Sequence, residues 1–485
     1  MKRYKNTFLA VCLATIFSVT NTQASPWANP GDGSLRSDVE VLARYGLISG
    51  PVNNWPMSWK QITRNLYKAD ELVLPSYVND SLMRVREKIP NQVNVKVKAY
   101  YTSKDDFFRG FEDSSRGKAE IEPGVEFNLD DTSVHINASY NDNQDFNLDG
   151  SYISHELGNW SAYVGSVERW WGPGRETTTL MSTNARPMPS IGIRRLESKP
   201  FKSKWLSWMG EWSGEIFVSK MDQNRHIPKP IFVGMKLAFE PIKNFEVGLA
   251  RTLMLCGEGR ACGSKQWIHG LIAVGDLDNK DPIQQPGNQL AMLDLSYSFS
   301  LKENINVKLY AEGSAEDIVV VAPYTYSRLI GASFYGAVGN KGDQYRITTE
   351  YSDTVGSLVW FIGEQRKGVM YNHFIYLNGY RYYDKVLGHS LDSNSIYISL
   401  KTTLIKSNGW EYSLKYQNML LNTENSSKNH LSASRERINS LRLNIKAQTN
   451  FGEIQLNSQI MDNAINTPLE NKFNVNIHAS WAIEF

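Results

Sequence analysis

The 485-residue chain carries 52 basic and 50 acidic side chains, is 41% apolar and 12% aromatic, and has a mean hydropathy of −0.40. That balance excludes a nucleic-acid partner recognised through a strongly basic face. Beyond the N-terminus no stretch approaches the ~20 consecutive apolar residues of a membrane-spanning helix, whereas a barrel that touches lipid with alternate residues remains compatible.

Met1-Lys-Arg-Tyr-Lys5 is basic, Phe8 to Val19 is mostly apolar, and Thr22-Gln-Ala24 suits a small-residue cleavage site. Residues 1–24 therefore read as a secretory signal peptide, whose apolar run is too short to span a bilayer. Val11 stands where a lipoprotein site needs a small residue, so Cys12 belongs to the discarded segment. Without Lys2, Arg3 and Lys5, the mature chain has 49 basic against 50 acidic side chains.

Residues 25–92 are expected to form a small domain of about three helices. Leu35, Val39 and Leu42 keep helical spacing; so do Trp59, Ile62, Leu66 and Ala69, and Val78, Leu82, Val85 and Ile89. Ser34 and Ser58 are candidate N-caps, and Pro75 and Pro90 bracket the third segment. A domain preceding a barrel in the chain is expected to stay in the periplasm.

From Val93 the period becomes two. Val93, Val95 and Val97 alternate with Asn94, Lys96 and Lys98. Val125, Phe127 and Leu129 reach a turn at Asp130-Asp131, and further hairpins turn near Pro241–Asn244 and Lys302–Asn304. The pattern ends in Phe473, Val475, Ile477, Ala479, Trp481, Ile483 and Phe485, with polar or small residues between them. Strands with one dry and one wet face, joined alternately by short turns and long polar connections, describe an outer-membrane β-barrel. At ~10 residues per membrane strand plus connections, residues 93–485 allow about 16–18 strands. The fold class is thus all-β, a large antiparallel transmembrane barrel with a small N-terminal α-helical domain.

Two regions carry unusual motifs. The first is Glu168-Arg-Trp-Trp-Gly-Pro-Gly174, running on through Asn184-Ala-Arg-Pro-Met-Pro189 to Arg194. The second contains Tyr371-Asn-His-Phe-Ile-Tyr376, Gly379-Tyr-Arg-Tyr382 and Leu387-Gly-His-Ser-Leu-Asp392. With the helical N-terminus, Pro286-Gly-Asn-Gln-Leu290 and the closing strand, these resemble the Wzi family of outer-membrane capsule-assembly proteins, which act as surface lectins. The resemblance covers essentially the whole mature chain. It implies an occluded barrel of about 18 strands with a periplasmic helical bundle, in a Gram-negative outer membrane. The partners it implies are capsular polysaccharide or exopolysaccharide, outer-membrane lipid, and the barrel-assembly machinery during biogenesis. A monomer without cofactor or metal is expected.

The motif residues themselves admit two readings. Trp170 and Trp171 suit sugar faces, or they anchor a folded-in loop turned by Gly172-Pro-Gly174. Arg186 and Arg194 pair with lumenal carboxylates or grip acidic sugars. His373, Tyr376, Tyr380, Arg381, Tyr382, His389 and Asp392 form either a glycan site or a lumen plug. Cys256 and Cys262, the only cysteines of the mature chain, are expected to close a loop by a disulfide.

Catalytic signatures are broken or missing. His155-Glu156 lacks the second His of a metalloprotease, since position 159 is Asn. His389-Ser390 near Ser393-Asn394 is the nearest approach to a Ser/His/Asn hydrolase of the outer-membrane phospholipase kind. The stronger rival to a polysaccharide-binding protein is a porin or solute-selective channel, which would share the strand pattern and have an open lumen.

Overall fold

A computed structural model describes residues 26–143, 145–272, 287–302, 304–316, 326–339, 342–357, 368–467 and 472–485. The signal peptide read in residues 1–24, and Pro286 of the Pro286–Leu290 motif, lie outside the described residues.

Alternating apolar and polar residues make a wall with two chemistries. In the strand Gly287–Lys302, Leu293, Leu295 and Tyr297 are exposed on the outside while Asp294 and Ser296 are buried inside. Consecutive strands pair antiparallel into a closed barrel of 18 strands among the described residues. The closing strand, Asn474–Glu484, pairs with the first, Val93–Thr102. Its seam continues to the final residue, where the Phe485 N–H donates to the Val95 carbonyl at 2.8 Å. Val475, Ile477, Trp481 and Phe485 face outward and Asn476 is buried inward, as the alternation requires.

A wall that is polar inside needs polar partners, because a buried charge left unpaired is costly. Some come from across the wall, as with Lys236 and Asp294. Others come from segments inserted at both ends.

The short-turn mouth receives the N-terminal region. Its helices are α1 (Gly33–Arg44), α2 (Trp59–Thr63) and α3 (Ser76–Glu87). Asp32, rather than Ser34, caps α1: its carboxylate accepts the Leu35 N–H at 2.9 Å. Ser34 falls inside the first turn and donates to Glu411 on the wall at 2.8 Å. The second helix stops short of its expected length and resumes as a 3₁₀ turn over Leu66–Glu71. The break coincides with Arg64 forking onto the Glu211 carboxylate at 2.7 and 2.8 Å and Asn65 bonding Ser49 at 2.9 Å.

The apolar faces of α1, α2 and α3 close on one core of Leu35, Val39, Leu42, Ile62, Val78, Leu82 and Val85. That core also takes in Tyr335 from the wall and Trp170 from an inserted loop. Polar contacts seal its edge: Asn306 donates to the Tyr77 hydroxyl at 3.0 Å and Gln344 to the Tyr77 carbonyl at 2.9 Å.

Candidate functional site

Residues 167–188 leave the wall after the strand Trp160–Ser166 and descend into the lumen until they meet the helical region. There Trp170–Trp171 pairs antiparallel with Asn54–Trp55. The Trp170 indole N–H donates to the Gly174 carbonyl at 2.8 Å, and its ring meets Phe111 edge-on at 5.5 Å. Both tryptophans are fully buried. They offer no ring face to a sugar, and the folded-in anchor is the correct one of the two readings.

The Gly-Pro-Gly run has a steric reason. Gly172 sits at φ +128°, and a Cβ there would lie 2.4 Å from the Glu312 carboxylate. That approach lets Glu312 accept from Gly174 N at 3.0 Å, Thr179 N at 2.9 Å and the Thr178 hydroxyl at 2.9 Å. Glu350 repeats the arrangement, accepting from Arg175 N at 2.5 Å and Glu176 N at 3.1 Å. Near the short-turn mouth Glu246 takes Val52 N at 2.9 Å and Asn53 N at 3.3 Å. Wall carboxyl groups thus clamp the backbone of the inserted segments by accepting its N–H groups.

Arg194 is spent on structure: it pairs with buried Glu215 and donates to the Pro56 carbonyl. Arg169 shares Glu215 at 2.9 Å and lies over the Phe217 ring at 3.7 Å. A glycan-gripping role for Arg194 is therefore corrected to lumenal pairing.

The long-loop mouth is filled by residues 368–395, which rest on the first insertion. Tyr371 donates to the Thr179 carbonyl at 2.5 Å and stacks with Tyr380 at 6.0 Å. Arg381 and Asp392 form a buried pair, and Arg381 also donates to the carbonyls of Tyr371 at 3.1 Å, Asn378 at 3.0 Å and Lys428 at 3.1 Å. Tyr376 donates to the Cys256 carbonyl at 2.9 Å, tying this plug to the loop closed by the Cys256–Cys262 disulfide. Tyr376, Tyr380, Arg381, Tyr382, His389 and Asp392 are all buried, so these residues are plug rather than glycan surface.

The two histidines of this plug serve its backbone. His373 Nδ1 accepts from Ile375 N and Tyr376 N, each at 3.1 Å, and His389 Nδ1 accepts from Leu391 N at 3.1 Å. With its Nδ1 accepting, His389 presents Nε2–H to the Ser352 hydroxyl at 2.7 Å. Burial lowers the pKa of His373 to about 4 and of His389 to about 3. Ser390 instead donates to the Arg109 carbonyl at 2.5 Å, and Ser393 to the Lys428 carbonyl at 2.9 Å. Neither Ser390 nor Ser393 faces His389, so the arrangement expected from His389-Ser390 and Ser393-Asn394 is not formed; the hydroxyl beside His389 Nε2 is that of Ser352 on the wall.

Of the sequence-selected residues Arg186 and His373 remain partly exposed, and Arg186 lies on the rim of the long-loop mouth. Arg186 forks onto Asp149 at 2.8 and 3.1 Å and lies 5.4 Å from the Tyr383 ring. Tyr383 and Asp384 form the two-residue tip between Arg381–Tyr382 and Lys385–Val386. Both have left-handed backbones, φ +46° and +62°, where Asn-Gly is the preferred pair. Tyr383 is 53% exposed, and Asp384 meets His430 at 3.1 Å. Sequence reasoning stopped one residue short at Tyr382; the available signal was an aromatic-acidic pair, Tyr383-Asp384, inside a tight-turn spacing.

Between the insertions and the wall lies a cavity of about 60 Å³ lined by Asp106, Glu176, Lys415, Arg442 and His478. It offers room for a few ordered waters. Asp106 and Arg442 pair across it at 2.9 Å, as do Lys415 and Glu176 at 2.7 Å.

Comparison with known proteins adds three findings. The chain matches the family described as capsule assembly protein Wzi over residues 88–473. An "uncharacterized 55.8 kDa protein in cps region" of Klebsiella pneumoniae is 27% identical over 321 residues, which is 64% of this chain and 62% of that protein. The alignment thus spans less than two thirds of that relative's length. The solved structure of Wzi, described as an outer-membrane protein involved in group 1 capsule assembly in Escherichia coli and a carbohydrate-binding β-barrel, aligns with a TM-score of 0.81. It is 23% identical, covering 94% of this chain and 99% of that one.

Proposed function

Since the chain belongs to the Wzi capsule-assembly family, we propose that it attaches capsular polysaccharide or exopolysaccharide to the cell surface by non-covalent binding, without turning the polymer over. The observation that carries this reading is the doubly filled lumen. Glu312 and Glu350 clamp one insertion from the wall, and Tyr371 seats the second on top of it. A polymer meeting such a barrel is held at the rim, since among the described residues both insertions occupy the lumen and the cavity of about 60 Å³ beside them has room for a few waters. The solved Wzi barrel being described as carbohydrate-binding supports the same assignment.

In this reading the long loops face the exterior, while the short turns and the helices α1–α3 face the periplasm. The contact surface is the outer rim around Arg186, Tyr383, Asp384 and His430. An exposed aromatic ring beside cationic and acidic groups suits stacking on a pyranose with hydrogen bonds to its hydroxyls and carboxylates. Each contact can be weak, because a long polymer engages many barrels and gains avidity. A monomer inserted by the barrel-assembly machinery suffices for this role. The buried, backbone-committed His389 argues against turnover by that loop.

A deletion strain should synthesise and export polymer and shed it into the medium. The purified barrel should bind polymer and pass no solute current in a planar bilayer. Unchanged cell-bound polymer in the deletion strain, together with a lost solute conductance, would establish the channel alternative instead.

A further inference from the structure

At the mouth that receives the helices, strands are joined by tight turns such as Asp130-Asp131 and Lys243-Asn244. Residues 201–210, between Lys199–Pro200 and the strand Glu211–Lys220, are a longer exception. They run Phe-Lys-Ser-Lys-Trp-Leu-Ser-Trp-Met-Gly, with no acidic residue.

This segment folds over the outside of the barrel. Trp212, Ile216 and Val218 share the lipid-facing side of their strand, opposite Phe239 of the next one. Phe201 stacks on Trp212 at 4.4 Å, and Trp208 meets Phe239 edge-on at 5.7 Å. Gly210, at φ +67°, makes the return, and the Glu240 carbonyl lies 2.0 Å from where its Cβ would stand. The fold leaves Trp205 88% exposed and Trp208 61% exposed, with Leu206 beside them.

Cations surround these indoles. Lys202 and Lys204 are exposed, and neither pairs with a carboxylate among the described residues. Arg195 lies over the Trp212 ring at 3.8 Å. An indole with one apolar body and one N–H suits the boundary of acyl chain and headgroup, and lysines just beyond it suit anionic headgroups. A zwitterionic headgroup would satisfy the tryptophans and leave the excess positive charge uncompensated.

We propose that residues 201–210, with Arg195, form a binding site for an anionic phospholipid of the leaflet at this mouth. Trp205 and Trp208 sit at the acyl–headgroup boundary, and Lys202 and Lys204 hold the phosphate. The proposal rests on the barrel lying in a bilayer and is independent of what the outer loops bind.

The test uses the full mature chain in nanodiscs of phosphatidylcholine doped with brominated phosphatidylglycerol or, separately, with brominated phosphatidylcholine. The fluorescence difference between wild type and Trp205→Phe isolates the quenching of one indole. Trp205 should be quenched by both lipids and more strongly by phosphatidylglycerol. In K202Q/K204Q that preference should fall by roughly 25-fold, at about fivefold per lysine, while quenching by brominated phosphatidylcholine persists. Heat-modifiable migration shows that each variant is a closed barrel, and cell-bound polymer should be unaltered in both. Equal quenching by the two lipids, unmoved by K202Q/K204Q, would overturn the proposal. So would a Trp205 that neither lipid quenches and that an aqueous quencher reaches, the result expected of a surface reserved for a protein partner.

Discussion

The Glu40 carboxylate on α1 and the Arg175 guanidinium on the inserted loop stand 2.7 Å apart, joining two segments that enter the barrel from different parts of the chain. Lys308 and Arg346 from the wall reach the same carboxylate at 3.0 and 2.9 Å. Glu40 is thus an acid on which helix, insertion and wall converge. Burial is the largest single effect on its carboxyl pKa and raises it, but Arg175, Lys308, Arg346 and Arg36 together outweigh burial and hold it well below the ordinary glutamate range.

Removing that acid should leave several buried cations uncompensated. Glu40→Ala is expected to destabilise the inserted state by about 3–5 kcal/mol, the scale found when one partner of a buried ion pair is deleted. The barrel should remain heat-modifiable, since its strands pair without α1. Limited proteolysis of the detergent-solubilised protein should cleave residues 45–75 faster than in wild type.

Gly172 supplies a steric test of the wall clamp. Gly172→Ala places a Cβ 2.4 Å from Glu312 at a backbone angle that alanine adopts poorly, so the insertion should unseat. Gly313→Ala, whose Cβ would meet nothing within 4 Å, is the matched control. Planar-bilayer recording should find current through the Gly172→Ala barrel and none through Gly313→Ala.

Acid should loosen the plug at the long-loop mouth. His373 and His389 are neutral when seated, with pKa values lowered to about 4 and about 3, and protonate near 6.5 once exposed. The unseated loop therefore binds more protons, and the seat is fully stable above about pH 6.5 and weakens as pH falls toward 3. Protease accessibility of residues 368–395 should rise through that window. His389→Gln should flatten part of the dependence.

Tyr383 can be tested without disturbing its turn. Tyr383→Asn keeps a residue that tolerates the left-handed backbone and removes the ring. One stacking contact of about 0.5–1.5 kcal/mol corresponds to a roughly twofold to tenfold loss per site. Binding of purified surface polysaccharide to the barrel should fall by that factor, with more polymer in the culture supernatant.

The wall was legible because its signal is local: two-residue alternation marks each strand, and the run from Phe473 to Phe485 marks one with a lipid face. The helices at Leu35–Leu42 and Val78–Val85 were legible for the same reason. Destinations were not. Gly172-Pro-Gly174 announces a turn, yet the carboxylate it turns around, Glu312, is 138 residues from Gly174. Trp170 and Tyr380 have the same chemistry whether they stack on a sugar or on Phe111 and Phe232. Burial by a distant segment decides between those uses, and no local period encodes it. Ser34 misled as a cap because Asp32, two residues earlier, competes for the same turn.

The seam between Val93–Thr102 and Asn474–Glu484 imposes an order of events. Thr102 and Asn476, bonded across it at 3.0 Å, are 374 residues apart. Loop closure over such a span is slow and comes late. The helices and the Trp170 insertion, made long before the final strand, have no enclosing cylinder to enter until that strand arrives. A chaperone guarding the unfinished chain must therefore shield two kinds of surface at once, the outward apolar rows and the inward charges of Glu312, Glu350 and Lys308. Those charges find their partners only when the cylinder shuts around its contents.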